Sequence, residues 1–353
     1  MKHRVIQWAT GNVGAAALPA IIRHPDLELV GVIVHSADKV GRDAGDLCGL
    51  PATGVVATDD VDTALALDAD VVSYMATGDL RPDDAVADMC RALESGKNVV
   101  STSVVSLVYP PSYDPRLRAL LEDACQKGGT SAFTNGIDPG FANELLPILL
   151  TGFTERVDAV RVQEILNYDT YDQGEVLFET MGFGKPLDAE PLLLLPGSLT
   201  LGWGGVVHMI AAALDVDLDE IREVHERLPA TETFTIASGV VEEGTTAALH
   251  FQVIGVVDGR DAIIVEHWTR LRDDQAPDWP QPPRGGGYVI TVDGSPSLRC
   301  ELTLEGEDGD HNTGGVLATA MRVLNAIPAV VEADPGLLSS LDLPLIPGRH
   351  LMR

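Results

Sequence analysis

Ten residues near the start, Val5-Ile6-Gln7-Trp8-Ala9-Thr10-Gly11-Asn12-Val13-Gly14, join an apolar run to a glycine turn and then to a helical pattern. The pyrophosphate of a dinucleotide needs that order. A turn without Cβ atoms lets backbone N–H groups and the positive end of a helix reach the phosphates. Gly11 and Gly14 stand as the second and third glycines of a G-x-G-x-x-G fingerprint, with Ala9 at the first. The spacing predicts cofactor contacts from Thr10, Gly11, Asn12, Val13 and Gly14. A glycine turn after a strand is common by itself; its place between strand and helix makes it specific.

The end of the second apolar run chooses between the two nicotinamide dinucleotides. An NAD site usually puts a carboxylate there to take the ribose 2′-hydroxyl, whereas NADP carries a phosphate at that oxygen. Here the run ends Val34-His35-Ser36, followed by Asp38, Lys39 and Arg42. His35, Ser36 and Lys39 suit a phosphate, so NADP is favoured and NAD left open by Asp38. Later strand ends line the same crevice in such a sheet. They nominate Ala76 and Thr77, Ser101 and Thr102, and Asn135 and Gly136 for the cofactor, with Phe141 beside the substrate.

Hydride transfer is the cofactor's chemistry, and the protein must orient the substrate and handle a proton. Glu164, Tyr168, Tyr171, His208 and His267 are the candidates for that work, each also compatible with a structural role. Glu164 and Tyr168 share a face if their strand continues. Asp138 reads as a cap for the helix after Pro139, and His311 and Asn312 open the last helix, where they reach the crevice or simply cap. None of the four cysteines forms a CxxC pair and no Cys/His cluster has zinc spacing, so no metal is expected.

The elements that must hold these groups alternate along the first 135 residues. Strand-like runs at 5–9, 27–34, 70–75, 98–101 and 131–134 are separated by helical patterns at 15–23, 82–95 and 115–127. That alternation is an α/β Rossmann fold, a doubly wound parallel sheet covered on both faces. After Gly140 the pattern changes to a helix at 143–150 and period-2 runs at 159–166, 232–238, 246–255, 262–271, 287–292 and 298–304. These predict a second α+β domain with an open, mostly antiparallel sheet. A proline-rich loop covers 273–286 and a helix 313–331. The expected division is 1–135 with 308–353 for the dinucleotide and 136–307 for the substrate.

The chain has 353 residues, and 24 basic against 53 acidic side chains leave a formal charge of −29. That charge excludes nucleic acid and anionic lipid as partners, both of which need basic surface. The N-terminus lacks a charged-then-apolar signal region, and the apolar run 192–214 is interrupted by Pro196, glycines and His208. A soluble cytoplasmic protein with a small-molecule substrate is the expectation.

Three stretches resemble the dihydrodipicolinate-reductase-like NAD(P)-binding proteins: Gln7 to Gly14, Asn135 to Phe141, and Asn312 to Ala320 with Asn325-Ala326-Ile327-Pro328. Within that group the chain is most similar to 2,4-diaminopentanoate dehydrogenase and the native amine dehydrogenases, with their mycobacterial-type relatives. The resemblance implies a Rossmann domain, a second domain that binds substrate and forms a homodimer, and NADP-linked interconversion of amine and ketone through an imine. It places Tyr168, Tyr171 and His267 in the pocket, implies cofactor contact by Asn312, and leaves Tyr168, His267 and Glu164 as the catalytic candidates. The sequence lacks the His-His-x-x-Lys-x-Asp-x-x-Ser-Gly-Thr stretch of true dihydrodipicolinate reductases, which argues against their reaction. It also has no carboxylate in 101–110, where the amine dehydrogenases carry a glutamate before a Tyr-Pro pair. An imine or carbonyl reductase without ammonia dependence, and a non-catalytic dinucleotide binder, therefore stand as alternatives.

Overall fold

A computed structural model describes residues 2–78, 81–282 and 285–352. Two residues of the proline-rich loop, Pro283 and Arg284, lie outside the described residues. In chain order the strands are β1 (His3–Trp8), β2 (Leu27–Ile33), β3 (Ala57–Thr58), β4 (Val71–Tyr74), β5 (Asn98–Ser101), β6 (Ser131–Thr134), β7 (Arg156–Asn167), β8 (Glu220–Pro229), β9 (Phe234–Ile236), β10 (Gly239–Val241), β11 (Thr246–Val257), β12 (Arg260–Arg270), β13 (Gly286–Ser295), β14 (Leu298–Leu302) and β15 (Gly336–Leu338). The α-helices are α1 (Asn12–Arg23), α2 (Ala44–Cys48), α3 (Val61–Leu65), α4 (Pro82–Glu94), α5 (Pro115–Gly128), α6 (Leu145–Thr151), α7 (Ser198–Ala213) and α8 (His311–Glu332). The chain divides into two compact units, Met1–Gly140 with Val316–Arg353, and Phe141–Gly315.

The first unit is a seven-stranded sheet in the order β15-β6-β5-β4-β1-β2-β3, parallel at every pairing. Its strands are apolar at successive positions because both faces are covered. Ile6, Trp8, Val72 and Tyr74 pack on one face against Met89 and Leu93 of α4 and Leu117 and Leu121 of α5. Val5, Val71, Val100 and Phe133 pack on the other with Ala17 and Ile21 of α1 and with α8. This is the Rossmann arrangement that the strand–helix alternation predicts. The reversal of strand order between β1 and β4 opens a crevice at the carboxyl ends, where ligands bind in such sheets. β3 and β15 are too short to leave a pattern in the sequence. Among the described helices, α8 is long and apolar enough to cross a membrane. Its Ala320, Val323, Leu324, Ile327 and Val330 are fully buried in this core, which accounts for that apolarity.

The second unit is a six-stranded sheet, β14-β13-β7-β12-β11-β8, with a separate β9–β10 hairpin. Its pairings are antiparallel except β7 with β12. β8 escapes the sequence reading because it is a largely exposed, charged edge strand, a device that discourages further pairing. Helices α6 and α7 lie against one face of the sheet. α7 comes close because Gly255 on β11 has no side chain: a Cβ there would stand 2.5 Å from Val207 and 2.9 Å from Leu218. His208 lies on the exposed side of α7 rather than in the core.

Candidate active site

The glycine turn is built so that its two glycines do different work. A Cβ on Gly14 would lie 2.3 Å from the carbonyl oxygen of Ala9, so Gly14 lets α1 press against the end of β1. A Cβ on Gly11 would meet nothing within 4 Å. Gly11 has an ordinary φ of −76°, and no side chain caps α1. Neither backbone strain nor packing in the unit therefore requires a glycine at 11, and the open space beside it is a cradle that a Cβ would fill. Ala9 sits at φ +72°, the conformation for which the first glycine is usual. Gln7 is fully buried and donates from Nε2 to the Ala9 carbonyl at 2.8 Å, holding the turn. That polar residue in an apolar strand was a visible signal of the role, one the sequence reading passed over.

Around this turn stand the groups expected to choose the cofactor. Lys39 donates from Nζ to the Thr10 carbonyl at 2.9 Å and to its hydroxyl at 3.2 Å, which brings an ammonium to the glycine turn. His35 is exposed and accepts from Trp8 Nε1 at 3.4 Å; Ser36 is exposed beside it. The residues present fit a dinucleotide with a charged phosphate near Lys39.

The ends of β5 and β6 enclose a cavity of about 40 Å³ lined by Thr102, Val105, Val108, Thr134, Asn135, Gly136, Asp138, Pro139 and Thr319. Asp138 thus brings a carboxylate to this cavity. It does not cap the next helix, which begins only at Leu145. Its turn closes on itself: a Cβ on Gly140 would lie 2.1 Å from the Gly136 nitrogen. Val104 holds a left-handed φ of +56° while buried, a strained state for a β-branched residue and one that concentrates at ligand sites. The Ser101 hydroxyl is engaged with the backbone of Ser103, and the Asn135 side chain with Arg322 and Ser340. Ala76 is buried and Thr77 exposed at the end of β4.

In the second unit, Tyr288 on β13, Glu164 on β7, His267 on β12 and Phe251 on β11 occupy one row of directly opposed positions. Opposed residues present their side chains to the same face of a sheet. Tyr288 donates from its hydroxyl to Glu164 Oε1 at 3.0 Å, and Glu164 Oε2 lies 2.8 Å from His267 Nδ1. Glu164 is 6 %, His267 3 % and Tyr288 4 % exposed. An ionised Glu164 only accepts, so in that state Nδ1 carries the hydrogen of this contact. The ring stacks on Phe251 with centroids 4.3 Å apart and planes at 11°. Trp203 of α7 meets it edge-on at 4.7 Å and 64°. Two sequence candidates, Glu164 and His267, are brought together here. Tyr288, Phe251 and Trp203 complete the array; strand register brings in the first two and the packing of α7 the third.

The other candidates have different surroundings. β7 ends at Asn167, and the next residue, Tyr168, still donates its N–H to the Arg270 carbonyl of β12 at 2.8 Å. Tyr168 and Tyr171 pair with ring centroids 5.2 Å apart at 35°. Phe141 lies in a turn before α6, partly exposed. Asn312 donates from Nδ2 to the Asn167 carbonyl at 3.1 Å and to the Thr170 hydroxyl at 2.8 Å, while His311 Nε2 lies 2.6 Å from the same carbonyl.

The opposite face of the same sheet carries a second buried carboxylate, Glu266. Burial alone would raise its pKa, but hydrogen bonds from His250 and Gln252, the Arg161 charge and a hydrogen bond from Gln163 hold it down to about 2. With its lone pairs occupied, Glu266 is a structural anion rather than an acid or base for chemistry.

Residues 141–351 match the 2,4-diaminopentanoate dehydrogenase C-terminal domain family, and residues 5–102 match the dihydrodipicolinate reductase N-terminal family. An amine dehydrogenase of Streptomyces virginiae is 44% identical over 97% of this chain and 96% of its own length. The 2,4-diaminopentanoate dehydrogenase of Acetoanaerobium sticklandii is 26% identical over 98% of this chain and 94% of its own. The structure of an amine dehydrogenase from Mycobacterium smegmatis superposes with a TM-score of 0.80 at 21% identity, covering 98% of this chain and 97% of that one, a likeness of fold. With the Rossmann sheet and the glycine cradle, these matches place the chain in the 2,4-diaminopentanoate dehydrogenase family of NAD(P)-dependent oxidoreductases.

Proposed function

We propose that the chain is an NADP-dependent amine dehydrogenase. It converts a small, rather apolar primary amine to a ketone with release of ammonia, and makes the amine when ketone and ammonia are supplied. The observation that carries this reading is the buried Glu164–His267 pair, in the stretch that matches the family's C-terminal domain. Such a pair is what a reaction dependent on a proton acceptor needs. The two named relatives act on amines by their names, which supports the substrate class.

Gly11, Gly14 and the N-terminus of α1 would hold the pyrophosphate, and Lys39 with His35 and Ser36 the 2′-phosphate. When bound, the cofactor accepts a hydride from the carbon that bears nitrogen. An ammonium has no lone pair, so its nitrogen must lose a proton before a C=N bond can form. His267 Nε2 takes that proton, and Glu164 stabilises the resulting imidazolium. His267 passes that proton to solvent; the imine then takes a water at carbon, and His267 receives the proton that this water sheds and returns it to nitrogen, which lets the C–N bond break. The balance is amine, water and oxidised cofactor to ketone, ammonia, reduced cofactor and a proton. Phe251 and Trp203 keep His267 among apolar neighbours, which suits an apolar substrate.

We read the protein as a cytoplasmic homodimer. Its four free thiols suit a reducing compartment, which supports the first part of that reading. Light scattering of the purified protein tests the dimer.

The activity is tested by following NADP⁺ reduction with a panel of small primary amines. Amine-dependent reduction that is lost in His267→Asn, with cofactor binding kept, is expected. Consumption of NADPH with ketone and no ammonia would instead make it a carbonyl reductase. Tight cofactor binding without turnover across the panel would make it a non-catalytic binder.

A further inference from the structure

Two hydrogen-bond contacts of Glu164 fall on different oxygens. His267 Nδ1 lies at Oε2 and the Tyr288 hydroxyl at Oε1. The terminal torsion of a glutamate is broad, so a carboxylate held by one donor can turn and exchange its oxygens. A second donor from the opposite side fixes its plane. Tyr288 is in position to be that donor because β13 and β12 flank β7, setting Tyr288 and His267 on either side of Glu164 in one row.

We propose that Tyr288 is a positioning residue for His267, acting through Glu164. The ring plane of His267 is set by Phe251 and Trp203, its edge by Glu164, and the plane of Glu164 by Tyr288. Together these constraints favour the Nδ1–H tautomer, the one in which Nε2 accepts the proton in the proposed reaction. A Tyr288 that merely filled space would need no hydroxyl. Phenylalanine would keep the ring, the burial and the strand pairing, and would remove the bond to Glu164. The inference rests on the reading of His267 as the proton acceptor.

The test uses the full chain as wild type and as Tyr288→Phe, with Glu164→Gln and His267→Asn for comparison. Imidazole ¹⁵N spectra of histidine-labelled protein report the tautomer, and His267→Asn identifies its signals. Wild type will show His267 as a single Nδ1–H tautomer, whereas Tyr288→Phe will show exchange between tautomers. In amine oxidation, kcat of Tyr288→Phe will fall about tenfold, the worth of one hydrogen bond to a charged group, with KM for NADP⁺ unchanged. Glu164→Gln will disturb the same signals more strongly. A Tyr288→Phe protein with wild-type kcat and an undisturbed spectrum overturns the inference while leaving His267 in its role, provided His267→Asn is inactive. If His267→Asn oxidises amines at the wild-type rate, the underlying reading and this inference fall together.

Discussion

Gly11 and Gly14 stand three residues apart, and one added methyl group will damage the protein differently at each. In Gly14→Ala the new Cβ starts 2.3 Å from the Ala9 carbonyl oxygen and 2.9 Å from its carbon, both backbone atoms that cannot swing aside. The start of α1 must withdraw from β1 by roughly 0.7 Å to reach even a tight contact, and overpacking of that kind costs about 1–3 kcal/mol. The melting temperature of the cofactor-free protein will fall by several degrees. In Gly11→Ala the Cβ meets nothing within 4 Å and φ is negative, so the cofactor-free protein will melt closer to wild type than Gly14→Ala does. Its methyl group enters the space left for the pyrophosphate, and displacing a well-packed ligand by that much weakens affinity about 10- to 100-fold. Thermal melts without cofactor and fluorescence titration with NADPH separate the two effects. A Gly11→Ala protein that binds NADPH as tightly as wild type refutes the assignment of that space to the cofactor.

Three further predictions concern charge. Lys39→Glu will weaken NADPH by about tenfold or more while changing NADH little, because Lys39 stands where a 2′-phosphate would add charge; equal losses in a titration with both would remove the NADP assignment. Asp138→Asn will lower kcat/KM for amine while leaving the NADPH dissociation constant unchanged, and steady-state kinetics with unaltered kcat/KM would exclude the carboxylate from the reaction. Glu266 titrates near 2 when folded against an ordinary 4.5, so its ionised form stabilises the fold by about 3 kcal/mol. That contribution is complete above about pH 4.5 and is lost as pH falls toward about 2. Melts of Glu266→Gln against wild type will differ most near neutrality, and a gap that does not shrink in acid would contradict the linkage.

The sequence carried the first unit well because continuous apolar strands and helical patterns alternate at short spacing, and a glycine turn needs only neighbours in the chain. It carried the second site in part. Glu164 and His267 could be nominated by residue type, but their pairing depends on β7 lying parallel to β12 across about a hundred residues. Tyr288 and Phe251 read as ordinary strand residues until the register aligns them. Trp203 arrives from α7, whose approach depends on the missing side chain of Gly255. Asp138 looked like a helix cap because Asp-Pro often starts a helix, whereas here the turn 136–140 folds back on itself first. β8 was hidden by the charges that protect an edge strand.

On the function proposed above, this chain joins nitrogen to carbon. The decisive experiment incubates the protein with NADPH, a small ketone and ¹⁵N-labelled ammonia and weighs the product by mass spectrometry. A primary amine carrying the label, formed only when ammonia is present, is the expected product. An alcohol formed at the same rate with or without ammonia would overturn the proposed function.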